Sequence, residues 1–157
     1  MKKVLVSACL LGERVRYDGQ DKRVVHPVLE RWIAEDRIVP VCPEVAGGLP
    51  VPRPASARQP DGRVTDVKGR DVTSHFTSGA SRALELARAH DVALAVLKEG
   101  SPSCGSSLVG DPGFTGLKLP GQGVATEALR AAGFQVFSEL ELELAAQALA
   151  QVEKSAT

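Results

Sequence analysis

Long apolar runs are missing. No stretch approaches the roughly 20 residues that span a bilayer as a helix, so no membrane partner is expected. Net charge is missing too, with Lys plus Arg and Asp plus Glu at 19 each. That balance argues against a large electrostatic footprint for DNA. Aromatic residues make up only 4% of the chain. The basic–aromatic interleaving of an RNA-binding surface is therefore lacking, which argues against RNA. Met1-Lys2-Lys3 gives a basic start, but Val4 to Leu11 is too short and too strand-like for a secretory signal. These absences predict a cytoplasmic protein.

Cysteine is sparse: three residues, widely spaced, with no Cys-x-x-Cys pair. An odd, scattered set is a poor disulfide framework and lacks the usual zinc-ribbon and thioredoxin signatures. In a reducing compartment such residues are thiols, metal ligands or a nucleophile. No internal repeat or low-complexity tract appears. A chain of 157 residues with 43% hydrophobic content suits a single globular domain, here 1–157, with a frayed tail expected over 154–157.

What is present is an alternation of short apolar runs and amphipathic stretches. Lys3 to Ala8, Arg37 to Val41, Val92 to Leu97 and Phe134 to Phe137 read as strands, apolar nearly throughout as buried parallel strands are. Helices are predicted over His26 to Asp36, with Pro27 in the first turn and Val28, Leu29, Trp32 and Ile33 as its apolar stripe. Further helices are expected over about Thr73 to His90 and Gly123 to Ala132. The last begins at a capping box, Ser138 with Glu141, and carries Leu144, Ala145, Ala148, Leu149 and Val152. Val45 to Arg70, rich in Gly, Pro and Arg, reads as a long functional loop with one small hairpin turning at Asp61-Gly62. Gly110 to Gly123 reads as loop. Alternation of this kind predicts an α/β fold with a mainly parallel sheet and helices on both faces.

Ligands of such sheets bind outside the C-terminal ends of the strands. Cys9, Cys42 and Cys104 each follow a predicted strand, so three residues far apart in sequence converge at one edge. Any one of them alone reads as a small buried apolar residue; three at three strand ends read as a site. Three soft thiolates suit zinc or an iron–sulfur cluster and leave one coordination position open, the mark of a catalytic metal. A metal-free cysteine enzyme is a poorer reading, because no histidine partner is evident in the sequence. A non-catalytic iron–sulfur or zinc sensor is the principal alternative.

Other residues near the cysteines read two ways. Glu44, in the rigid Cys42-Pro43-Glu44 turn, is equally a base beside the metal and a helix cap. Ser101 and Ser103 are substrate-bonding hydroxyls or turn formers. Ser7, Tyr17 and Asp18 can line the same pocket or equally serve strand-end capping and turn formation, and Gly48 can admit a close ligand approach or serve a positive φ. Arg53, Arg58, Arg63, Lys68 and Arg70 read as a solvated loop surface more readily than as a phosphate site. Gly121-Gln122-Gly123 resembles a phosphate loop only weakly, since no full Gly-x-Gly-x-x-Gly follows.

Taken together and in order, several motifs carry a resemblance: Ser7-Ala8-Cys9-Leu10-Leu11-Gly12, Tyr17-Asp18-Gly19, Val41-Cys42-Pro43-Glu44-Val45, Gly47-Gly48-Leu49-Pro50 with Pro52-Arg53, Ser101-Pro102-Ser103-Cys104-Gly105 and Gly121-Gln122-Gly123-Val124. The chain resembles the single-domain thiouracil desulfidase family over Val4 to about Leu142. That resemblance implies a Rossmann-like three-layer sandwich holding a 4Fe–4S cluster through Cys9, Cys42 and Cys104, with the fourth iron open. Such a cluster is easily lost in air. It also implies removal of sulfur from thiolated uracil, a small-molecule pyrimidine partner, Glu44 as acid/base and Ser101 as assisting hydroxyl. Ser7, Tyr17, Ser103 and Gly48 are the substrate-binding candidates. The pattern specifies no oligomeric state.

Overall fold

Four short apolar strands share one sheet and carry the rest of the chain on its two faces. The structure is a computed structural model, describing residues 1–155. β1 (Val4–Ser7) is buried at every position. A 3₁₀ turn over Ala8–Leu11 follows it directly. α1 (Pro27–Ala34) leads to β2 (Ile38–Val41), and a one-turn helix, α2 (Pro43–Ala46), follows. A hairpin of β3 (Ser56–Arg58) and β4 (Val64–Asp66) precedes α3 (Thr73–Ala89) and β5 (Leu94–Leu97). A second hairpin, β6 (Leu108–Gly110) with β7 (Lys118–Pro120), precedes α4 (Val124–Ala131), β8 (Gln135–Ser138) and α5 (Leu142–Ser155).

The main sheet has the order β2-β1-β5-β8, and every pairing is parallel. Alternate residues feed opposite cores, as the two-residue period of a strand requires. Leu5, Val39, Ala95, Leu97 and Val136 pack with Ala80 and Ala83 of α3 and Leu129 of α4. Val4, Val6, Leu94 and Val96 pack with Leu29 and Trp32 of α1 and Leu142, Ala145 and Leu149 of α5. Burial on both faces is why these strands lack a polar side. The expected α/β three-layer sandwich is the fold observed.

The chain leaves β1 toward β2 on one side, and β5 lies on β1's other side. This is a topological switch point, and the crevice above it opens at the strands' C-terminal ends.

Helix faces differ from expectation at two residues. Ile33 is solvent-exposed; Leu29 and Trp32, with Val28 partly buried beside them, are the residues α1 turns to the core. Leu144 is exposed too, and Leu142 takes its place in the core. The capping box at Ser138 and Glu141 forms, but it caps a 3₁₀ turn over Glu139–Glu141 that runs into α5. α5 includes Lys154 and Ser155; the remainder of the expected frayed tail, 156 and 157, lies outside the described residues. The segment read as loop, Gly110 to Gly123, contains β7 and the last residue of β6. Both strands are three residues long and mostly exposed, so no buried face marks them. Among the described residues, no helix is long and apolar enough to cross a membrane.

Candidate active site

The three cysteines stand at three strand ends because each strand stops there. Cys9 lies in the 3₁₀ turn after β1, Cys42 is the N-cap position of α2 after β2, and Cys104 lies in the loop after β5. All three are free thiols and line one cavity of about 550 Å³ at the switch point. That volume falls in the range of small-ligand sites.

Their surroundings keep the thiols protonated. Burial pushes Cys9 up to about 11, with the neighbouring Cys42 adding to the shift and Lys98 opposing it. Burial pushes Cys104 up to about 12, against hydrogen bonds from Ser7 and Ser103. Cys42 is raised as well, again chiefly by burial, while the Val45 N–H opposes the shift. A thiol held this high is a poor nucleophile without a base, and the histidines serve elsewhere. His26 caps α1, the His75 ring is 2.8 Å from the Gly47 carbonyl oxygen, and His90 ends α3. Coordination to a metal deprotonates a thiol outright.

The donor set suits a soft metal group. Ser7 Oγ lies 3.5 Å from Cys104 Sγ, and a hydrogen bond to ligand sulfur is a standard way to tune iron–sulfur clusters. Among the described residues, no three His, Cys, Asp or Glu side chains stand close enough to share a single metal ion.

The Cys104 loop is held from both sides. On one side Glu99 accepts from the backbone N–H groups of Ser106, Ser107 and Leu108 at 2.8–3.0 Å and from the Ser106 hydroxyl at 2.8 Å. Burial works against its charge, but these bonds hold its carboxyl below the ordinary value. On the other side the first N–H groups of α4 find their acceptors in this loop. Val124 N donates to Pro102 O and Ala125 N to Ser103 O, both at 2.9 Å, while Thr126 Oγ1 donates to Cys104 O at 2.9 Å. Gly121-Gln122-Gly123 is thus the clamp on the cysteine turn, not a phosphate loop. A Cβ on Gly123 would lie 2.3 Å from the Ser103 carbonyl carbon. Gly123→Ala is expected to lower the Tm by roughly 2–12 °C, from about 1–3 kcal/mol of overpacking at about 2–4 °C per kcal/mol. Thermal unfolding checks this; an unchanged Tm contradicts the clamp.

Glu44 reaches the cavity from α2, which is pressed against α3. A Cβ on Gly47 would meet the His75 carbonyl oxygen at 1.9 Å, and one on Gly79 would meet the Pro43 carbonyl oxygen at 1.9 Å. Only glycine permits this approach. Both carboxylate oxygens of Glu44 are engaged: Oε1 accepts from Arg53 Nε at 3.1 Å and Oε2 accepts from Ser103 Oγ at 2.8 Å. Ser103 Oγ lies 2.9 Å from Ser101 Oγ, which accepts the N–H groups of Ser103 and Cys104 at 3.1 Å each. A hydroxyl that gives its proton to a carboxylate must receive its other bond, so the chain runs from Ser101 through Ser103 to Glu44.

Of the substrate-binding candidates, Tyr17 is 42% exposed on the cavity wall, with the Arg16 guanidinium 5.5 Å from its ring centre. Ser7 and Ser103 line the cavity, but their hydroxyls bond protein atoms; Ser7 Oγ also accepts the Lys98 N–H at 2.9 Å. Gly48 is not brought into the cavity. It sits outside with φ 97° beside the His75 ring.

Two wall residues escaped the sequence. Phe114, at the tip of the β6–β7 hairpin, lines the cavity opposite in sequence to anything expected there. Arg53, read as loop surface, is buried at 8% exposure. Its place between two prolines, just after Gly47-Gly48, was the available signal. The other loop arginines pair with carboxylates of their own: Arg58 with Glu127, Arg63 with Asp61 and Arg70 with Asp66.

Comparison with known proteins adds three findings. The model of a family described as 2-thiouracil desulfurase matches residues 4–141. An uncharacterised protein of Bacillus subtilis (strain 168), YbbK, is 35% identical over 148 residues, covering 88% of this chain and 97% of that one. A solved structure of the [4Fe-4S]-dependent thiouracil desulfidase TudS superposes with a TM-score of 0.93 at 49% identity, covering 96% of this chain and 99% of that one.

Proposed function

Because the chain belongs to the 2-thiouracil desulfurase family, we propose that it is a thiouracil desulfidase that converts thiouracil and water to uracil and sulfide. The observation that carries this reading is one cavity lined by three free cysteines and a carboxylate fixed at both oxygens. Cys9, Cys42 and Cys104 are the residues that would hold a 4Fe–4S cluster, leaving one iron without a protein ligand. When bound, that cluster supplies a Lewis acid with soft affinity for a thiocarbonyl sulfur, which draws electron density from the ring carbon.

The chain's own residues supply the rest. Glu44 takes a proton from a water molecule, whose oxygen bonds to the ring carbon as the carbon–sulfur bond breaks. Sulfur leaves as sulfide and no atom changes oxidation state overall. Ser101, its oxygen set by two N–H donors and its proton directed along Ser103 to Glu44, is the assisting hydroxyl that holds or returns a proton at the reacting ring. Ser103 links the two, and Ser7 supports the Cys104 sulfur. Tyr17 and Phe114 offer faces for a planar pyrimidine.

The test is turnover by protein reconstituted with iron and sulfide without oxygen. Uracil and sulfide are expected in equal amounts from 2-thiouracil. An intact cluster with no turnover would overturn the enzyme reading and favour a non-catalytic sensor.

A further inference from the structure

Arg53 is committed on every side, and nothing in the proposed chemistry yet uses it. Its guanidinium spends three nitrogens on three different segments of the chain. Nε bonds Glu44 Oε1 at 3.1 Å, Nη1 bonds the Pro50 carbonyl at 3.1 Å and Nη2 bonds the Val15 carbonyl at 3.0 Å. Its backbone N–H donates to the Tyr17 carbonyl at 2.8 Å. The same Val15 carbonyl lies 3.8 Å from Cys42 Sγ. With its side chain only 4% exposed and that of Glu44 13% exposed, this is a nearly dry ion pair.

We propose that Arg53 is the positioning residue of the catalytic base: it acts through Glu44, aiming the carboxylate at Ser103 and fixing the wall from Val15 to Tyr17 around it. The inference rests on the desulfidase reading for its kinetic consequence, but not for its geometry. α2 has only four residues, and a glutamate on one helical turn keeps its rotamer freedom unless something outside holds it. Glu44 has two such holds, one per oxygen, and Arg53 is the charged one. A buried pair contributes little net stability against its desolvation cost, but removing one partner alone is costly, so the rate effect is read on variants that stay folded and iron-loaded. The three bond directions use the planar fork of a guanidinium, which lysine cannot reproduce.

The experiment compares Arg53→Gln, Arg53→Lys and Arg53→Ala with wild type, all as reconstituted holoenzyme. For Arg53→Gln, kcat on 2-thiouracil is expected to fall about tenfold to a hundredfold, the cost of a misaimed catalytic group. KM should stay within about threefold of wild type, and iron content and visible spectrum should not change. Arg53→Lys recovers little, whereas added guanidinium ion raises kcat of Arg53→Ala. In a Glu44→Gln background, Arg53→Gln adds no further loss, because its effect passes through the carboxylate. Equal losses in both backgrounds, or wild-type kcat in Arg53→Gln, would overturn the proposal, as would loss of iron from both Arg53→Gln and Arg53→Lys. A crystal structure of cluster-free Arg53→Gln supplies a readout without turnover: Glu44 is expected to leave Ser103 Oγ, and an unmoved carboxylate would overturn the positioning role. A wild-type protein that holds iron but releases no sulfide overturns the desulfidase reading alone, and the position of Glu44 still decides the role of Arg53.

Discussion

Cys104→Ala is expected to lose iron and turnover together, as are Cys9→Ala and Cys42→Ala. Each removes one of three soft donors from a group that has no spare: among the described residues the only free cysteines are these. The loss should not come from unfolding. Cys104 is a small buried side chain in the core shared with Leu97 and Ala125, and an alanine there removes a single sulfur. The chain should therefore keep its secondary structure and remain colourless after reconstitution. A pH dependence accompanies this. The thiols of Cys9 and Cys104 are pushed up to about 11 and about 12, chiefly by burial. Ligation needs the thiolate, so loading expels protons and apparent affinity rises with pH across the neutral range. Iron measured per chain after reconstitution at stepped pH checks both statements. A Cys104→Ala protein that still binds a full cluster would remove that residue from the ligand set.

Glu44→Gln is expected to do the opposite: iron and colour stay, and kcat falls by about a hundredfold or more, the usual worth of a positioned base. Glutamine preserves the length of the side chain; its carbonyl oxygen can still accept from Arg53, while its amide N–H group faces Ser103 Oγ and donates to it, so the bond to Ser103 is reversed rather than lost. What it cannot do is take a proton from water. Its cost in stability should come from leaving Arg53, with a side chain only 4% exposed, without a counter-charge. Steady-state kinetics beside an iron count separate the two effects. Near-normal kcat in an iron-loaded Glu44→Gln enzyme would take the base role from this residue.

The central architecture was legible because its signals are local. Val4 to Ser7 and Leu94 to Leu97 are short and almost wholly apolar, which is what a strand buried on both faces must look like. Once those strands are placed, the segment leaving each one is placed too: Cys42 follows β2 directly, Cys9 lies in the turn after β1, and Cys104 is brought to the same edge by the loop after β5. Glu44 and Ser101 came with them, as neighbours in sequence. Arg53 did not, because what makes it important is a fold of the chain that brings residues 15, 44, 50 and 53 together. Within Val45 to Arg70, only its place between Pro52 and Pro54 sets Arg53 apart from the other arginines, and that local signal does not say which carboxylate it meets. Phe114 was hidden for a related reason: the β6–β7 hairpin has no core face of its own, and only its position over the cavity gives it a role. Ile33 and Leu144 show the same limit in reverse. Both sit at helical spacing from core residues, yet both face solvent, because spacing alone does not say how far the packed surface beneath a helix extends.

The most direct single measurement is the iron content of the wild-type chain after reconstitution with iron and sulfide in the absence of oxygen. About four irons per chain with a broad visible absorption band are expected of a 4Fe–4S cluster held by Cys9, Cys42 and Cys104. One colourless zinc per chain, or no metal under any condition, would contradict the cluster and return the three cysteines to the core.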